Sequence, residues 1–207
     1  MKNYVKILTV TVSESIKKDL VDFGFERVFV VGEGLNFEPL KDLEGKVGYP
    51  VIVYVGRLKR AKRLDHAVEA FKIVKGAFPY AELWIIGDGY FGDRLVGMAC
   101  EGVRFFKSCS NEERDLIRKA WVLVNPSVRE GFGLNVVEAN ALGVPCVAYD
   151  VAGLSDSIEH GETGFLVESG DAKALAEGIV KLLRDEELRL DFREMLWCIR
   201  EVLVGIG

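Results

Sequence analysis

Eight short apolar runs alternate with amphipathic stretches along this chain, and no other feature constrains its fold as strongly. The runs cover residues 5–12, 27–31, 51–56, 82–87, 103–106, 121–124, 146–149 and 165–167. Most are continuously apolar, the pattern of strands buried on both faces of a parallel sheet. Between them lie helical patterns. Ser13 is placed to cap a helix carrying Ile16, Leu20 and Val21, and Leu64, Ala67, Val68, Phe71 and Val74 form a stripe within 61–76. Further helical patterns occupy 111–120, 134–142 and 171–184, the second of them stopped by Gly143-Val144-Pro145. Strands alternating with helices predict right-handed βαβ units, an α/β doubly wound parallel sheet, and a ligand crevice at the carboxyl ends of the strands.

Composition narrows the class. The 207 residues, 49% hydrophobic and 29% charged, can bury a substantial core and read as a soluble globular chain. A formal net charge of -5 argues against a dedicated nucleic-acid binder, although Arg57, Lys59, Arg60, Lys62 and Arg63 cluster locally and could hold phosphate. Cys100, Cys109, Cys146 and Cys198 form no CxxC pair and have no histidine at ligand spacing, so they read as reduced structural thiols. A zinc site is not expected. Lys6 interrupts the apolar N-terminal run and no small-residue cleavage site follows it, which favours a strand over a signal sequence. No run approaches the roughly 18 apolar residues of a membrane span, so the expected location is cytoplasmic.

The chemistry concentrates in Arg129-Glu130-Gly131-Phe132-Gly133-Leu134-Asn135-Val136-Val137-Glu138-Ala139. A strand at 121–124 precedes this glycine-rich loop and a helix follows it, so free backbone N–H groups and a positive helix end face the loop and suit an anion. Glu130 on the loop and Glu138 early in the helix can flank one crevice and accept hydrogen bonds from hydroxyls. The pattern therefore suits a phosphorylated, hydroxyl-rich ligand. Gly87-Asp88-Gly89 reads first as a tight strand-to-helix turn. His66, on an exposed helix position, and His160, in a turn, read as bystanders. Trp84, Trp121 and Trp197 fit core or interface positions.

Several ordered motifs resemble the C-terminal half of the group 1 (family 4) retaining glycosyltransferases. They are Tyr54-Val55-Gly56-Arg57-Leu58 with Lys62, Leu83-Trp84-Ile85-Ile86-Gly87-Asp88-Gly89, Asn125-Pro126-Ser127 before the glutamate loop, Ala152-Gly153-Leu154, and His160-Gly161-Glu162-Thr163-Gly164-Phe165-Leu166-Val167. The resemblance implies a GT-B architecture of two facing Rossmann-like domains, of which this chain carries the donor half and the end of the acceptor half. On that basis 1–38 is the end of the acceptor-side domain and its connection, 39–184 the nucleotide-sugar-binding domain, and 185–207 a helical tail. The resemblance also assigns roles. Arg57 and Lys62 neutralise the donor diphosphate, Glu130 faces the donor sugar, and these three are the catalytic residues. Glu138 takes the ribose, while Gly56, Gly131, Phe132, Gly133, Leu134 and Asn135 line the donor site. Residues 106–111 border the base. No cofactor or metal is implied; the partners are a nucleotide-sugar donor and an acceptor-binding domain or a second copy.

Three positions depart from the family pattern: Arg63 stands where glycine is usual, Glu33-Gly34 replaces Asn-Gly, and Asp156 replaces a glutamate. The resemblance implies transfer of a glycosyl group with retention; the alternatives are a catalytically silent nucleotide-sugar-binding or regulatory subunit and, with less support in the motifs, another GT-B enzyme such as an epimerase. The apolar residues of 5–12 and of the tail (Leu188, Phe192, Met195, Ile199, Val202, Leu203) lack an evident cover and are expected to dock or self-associate.

Overall fold

The computed structural model describes residues 5–31, 35, 45–107 and 110–192. All eight apolar runs contribute strands: β1 (Thr9–Thr11), β2 (Val28–Val30), β3 (Val51–Val55), β4 (Glu82–Ile86), β5 (Val103–Phe106), β6 (Val122–Asn125), β7 (Cys146–Tyr149) and β8 (Gly164–Val167). The helices are α1 (Glu14–Asp22), α2 (Leu64–Ala77), α3 (Gly92–Met98), α4 (Ser110–Lys119), α5 (Leu134–Ala141) and α6 (Ala172–Arg184). Only α3 lacks a counterpart among the sequence-derived helices. It buries a single residue, Leu95, so it leaves no stripe to read.

Six strands form one sheet in the order β5-β4-β3-β6-β7-β8, every pair parallel. Numbered within the sheet, that is the 3-2-1-4-5-6 order of the doubly wound Rossmann fold. The strand period of two splits β3 between two cores. Ile52 and Tyr54 pack with Leu64, Phe71, Leu83, Val147 and Ile179 beneath α2 and α6. Val51, Val53 and Val55 pack with Ile117, Val136 and Ala148 beneath α4 and α5. Both faces are covered, which explains why the central runs β3, β6 and β7 carry no charged residue, whereas exposed Arg104 interrupts the edge strand β5.

β1 and β2 pair separately, in parallel, with Val10 opposite Phe29. β1 is much shorter than the run at 5–12. Ser13 caps α1 as its sequence position suggests, its side chain accepting from the N–H of Ile16 at 3.3 Å. The expected boundary at 38/39 lies outside the described residues.

At the other end, residues 186–192 are helical. Phe192 is 2% exposed and its ring lies 5.4 Å from that of Phe165, while Leu188 packs on the same core. These two residues of the tail stripe therefore have a cover on the six-stranded sheet's own core, contrary to expectation. Met195, Trp197, Cys198, Ile199, Val202 and Leu203 lie outside the described residues.

Candidate functional site

The sheet reverses its winding between β3 and β6, and the loops leaving their carboxyl ends bound the crevice that such a reversal creates. After β3 run Gly56, Arg57 and Leu58; after β6 run Pro126 to Gly133. The first loop is set by its neighbour. The N–H of Gly56 donates to Ile86 O at 3.0 Å and that of Leu58 to Asp88 O at 2.9 Å. A Cβ on Gly87, where φ is 144°, would collide with the carbonyl oxygen of Gly56. Gly87-Asp88-Gly89 thus serves as packing for the Gly56 loop.

Lys62 ends a 3₁₀ turn, Arg60–Lys62, and its Nζ lies 2.5 Å from Glu130 Oε1. Their side chains are 21% and 13% exposed, so the ion pair is largely shielded. The Val128 N–H donates to Ala61 O at 3.3 Å and holds the two turns together. Arg57 is exposed. Both Arg57 and Glu130 act on the phenol of Tyr54: burial first and the Glu130 carboxylate second push its pKa up, and Arg57 opposes them. Tyr54 Oη also donates to Arg57 O at 3.3 Å. The structure thus gathers Arg57, Lys62 and Glu130 around one mouth.

The amino end of α5 closes the loop that carries Glu130. Gly133 caps it in a left-handed conformation (φ 80°, ψ 46°), and a Cβ there would lie 2.9 Å from Leu154 Cδ2. Among the described residues, the N–H groups of Leu134 and Asn135 have no backbone acceptor, leaving donors free for an anion. The helix start is tied to the sheet by amides: Asn135 Nδ2 donates to Val55 O at 2.8 Å, Asn125 Nδ2 donates to Asn135 Oδ1 at 3.2 Å, and Asn125 Oδ1 accepts from Ser127 N at 3.1 Å. Asn125 is fully buried, and a buried asparagine closing an apolar strand was the sequence signal for this tie. Phe132 is half-buried and Gly131 exposed on the same loop.

Glu138 does not meet Glu130. It lies one turn along α5, half-buried, facing α4, and its pKa is raised first by burial and then by Glu113, with Arg114 opposing. Glu138 therefore marks the α4 side of the crevice and Glu130 the Lys62 side. Of the segment expected beside the base, Ser108 and Cys109 lie outside the described residues.

The sequence pattern gave no sign of a polar contact from the β1–α1 unit. Ser13 Oγ donates to Gly131 O at 2.8 Å, and Ser15 Oγ accepts from Gly153 N at 2.9 Å while donating to Asp156 Oδ2. His66 corrects an expectation. It is 9% exposed rather than on the surface, with Nδ1 2.5 Å from Tyr149 Oη and Nε2 against Arg63 Nη2. Trp84 is buried and Trp121 half-buried, as expected. Cys100 and Cys146 are free thiols, and Cys109 lies outside the described residues.

The family model for glycosyl transferases group 1 matches residues 28–195. The chain belongs to the group 1 glycosyltransferases. Capsular polysaccharide biosynthesis glycosyltransferase CapM of Staphylococcus aureus is 32% identical over 202 residues, a match covering 87% of this chain and 53% of CapM. N-acetyl-alpha-D-glucosaminyl L-malate synthase of Bacillus anthracis is 32% identical over 149 residues, covering 70% of this chain and 39% of the synthase. Among solved structures, Anabaena HepE in complex with UDP and glucose superposes with a TM-score of 0.83 at 20% identity, over 96% of this chain and 60% of HepE. The chain thus spans about half the length of the glycosyltransferases it matches. Among the described residues no helix is long and apolar enough to cross a membrane.

Proposed function

We propose that this chain is the donor-binding half of a retaining glycosyltransferase, which moves a glycosyl group from a nucleoside diphosphate sugar to an acceptor hydroxyl without a metal ion. The observation that carries this reading is the pairing of Lys62 with Glu130 on the loop that ends in the free N–H groups of α5. A sugar diphosphate has its phosphate and its first sugar hydroxyls side by side, and a cation beside a carboxylate recognises that junction. Arg57 and Lys62 would stabilise the charge that grows on the departing diphosphate, while the α5 amides hold the phosphate oxygens. Glu130 would accept from sugar hydroxyls and Glu138 from the ribose. Retention requires the acceptor oxygen to bond to the anomeric carbon on the face from which the diphosphate oxygen leaves, the acceptor proton passing to that oxygen.

Such a reaction needs a closed, water-poor cleft with a second wall. An acceptor-binding domain, carried with this chain or by a partner, would supply that wall. The half-length match to the family's members supports that arrangement. The free, buried Cys146 is in keeping with a cytoplasmic setting.

Calorimetric titration with UDP, GDP and ADP in the presence of a chelator tests the reading. One of the three should bind, and replacing Arg57 and Lys62 together with Ala should cost about 2–5 kcal/mol of that affinity. Glu130→Gln should reduce only the extra affinity that the sugar contributes, whereas Glu138→Gln should weaken nucleotide and nucleotide sugar alike. No binding of any nucleoside diphosphate to folded protein would overturn the assignment.

A further inference from the structure

We propose that Arg63 is a positioning residue for Lys62, kept in a left-handed backbone conformation by a clasp of its side chain to Asp65 and, through His66, to Tyr149. The inference rests on the reading of Lys62 as a donor-phosphate contact. Among the described residues, Arg63 is the one non-glycine residue with positive φ (φ 46°, ψ 41°). A side chain with a Cβ enters that region at a cost and stays only where its surroundings over-determine it.

Here the surroundings are specific. The backbone of Arg63 is used on both sides, its N–H donating to Arg60 O at 3.1 Å and its carbonyl accepting from His66 N at 2.9 Å. Its Nε donates to Asp65 Oδ1 at 3.2 Å, and its Nη2 meets His66 Nε2. A guanidinium has donors only, so Nε2 must be the acceptor. The ring proton then belongs on Nδ1, which donates to Tyr149 Oη at 2.5 Å. Tyr149 is fully buried at the end of β7. The clasp therefore anchors an otherwise surface-borne turn to the core of the sheet.

The conformation has a use beyond starting α2. An extended Ser or Asp would begin a helix at lower backbone cost. A left-handed residue instead breaks the path between the 3₁₀ turn and α2, so that Lys62 leaves the helix axis and reaches Glu130 in the loop after β6. In the right-handed conformation residue 63 would join the two helical segments and carry Lys62 around the axis of α2. Asp65 also compensates the guanidinium, so that Lys62 and not Arg63 is offered to the crevice beside Arg57.

The test is calorimetric titration of the 207-residue chain with UDP, or with GDP or ADP if one of those is the nucleotide it binds. Arg63→Ala should weaken binding about tenfold, whereas Arg63→Gly, which takes positive φ freely, should stay within about twofold of the unaltered chain. Tyr149→Phe keeps the buried ring and removes the end of the clasp, and should weaken binding about threefold. In a Lys62→Ala background none of the three should have a further effect. Arg63→Ala or Tyr149→Phe binding like the unaltered chain, or weakening binding equally with Lys62 absent, would overturn the inference while leaving the donor site intact. Lys62→Ala without effect would remove the phosphate reading, and this inference with it. If Arg63→Ala does not fold, Tyr149→Phe decides by the same comparison.

Discussion

Glu138 illustrates how a residue suited to a ligand can burden the protein without one. Burial, and secondarily Glu113 on α4, raise its pKa above the ordinary carboxylate value. A carboxyl whose folded pKa is raised favours the folded state below its unfolded pKa, and that contribution disappears as pH rises through the folded value. At neutral pH the ionised group is therefore a small load. Substitutions at partly exposed helix positions of this kind usually stay within about 0.5 kcal/mol. Glu138→Gln should accordingly raise Tm by about 1–2 °C at pH 7.5, and that gain should largely vanish near pH 4, where the carboxyl is mostly protonated in both states. Scanning calorimetry at the two pH values checks this, and an equal shift at both would show that ionisation is not the cause. That Glu130 and Glu138 sit on one loop and the helix after it was legible because the two are contiguous in sequence; that one turns to Lys62 and the other to α4 was not. The burial of His66 was not, since its cover, Tyr149, comes from a strand 83 positions away.

Among the elements, α1 has an unusual attachment. It has no buried residue of its own, and its amino end is fixed through Ser13 to Gly131 and through Ser15 to Gly153 and Asp156. Gly131 follows Glu130 directly, and Gly153, on the loop after β7, packs against the Glu130 carbonyl, where a Cβ would collide with its oxygen. Ser13→Ala removes both the helix cap and the tie to Gly131, and should cost α1 about 1–2 kcal/mol of local stability. Hydrogen exchange should then quicken across Glu14–Asp22 and leave Leu64–Ala77 unchanged; equal quickening in both helices would mean the tie acts globally. The central strands β3, β6 and β7 were readable because burial on both faces leaves them almost continuously apolar. The interruption of the helical pattern at 61–76 was not, because side-chain periodicity is blind to one residue's φ. The β1–α1 ties were hidden for a similar reason: serines and an aspartate far apart in sequence carry no pattern until the fold brings them together.

At the scale of the molecule, the parallel order β5-β4-β3-β6-β7-β8 explains why every loop singled out for chemistry gathers at one end of the sheet. The fold class and the position of the crevice followed from strand–helix alternation alone, whereas the division of the chain depends on residues around 38 that sequence patterning marks only by its glycines and prolines. The small β1–β2 sheet stands apart from this economy. Val10 and Phe29 face each other across it at 60% and 54% exposure, with Val31 beside them at 59%. Phe29→Lys should therefore raise the concentration at which the purified chain stays clear on warming, as read by light scattering; unchanged scattering would place the sticky surface elsewhere. For work with these 207 residues the consequence is practical. If Phe29→Lys clears the solution, shelf life and crystallisability in a concentrated tube are governed by this greasy two-stranded ribbon, away from the crevice at the carboxyl ends of β3 and β6.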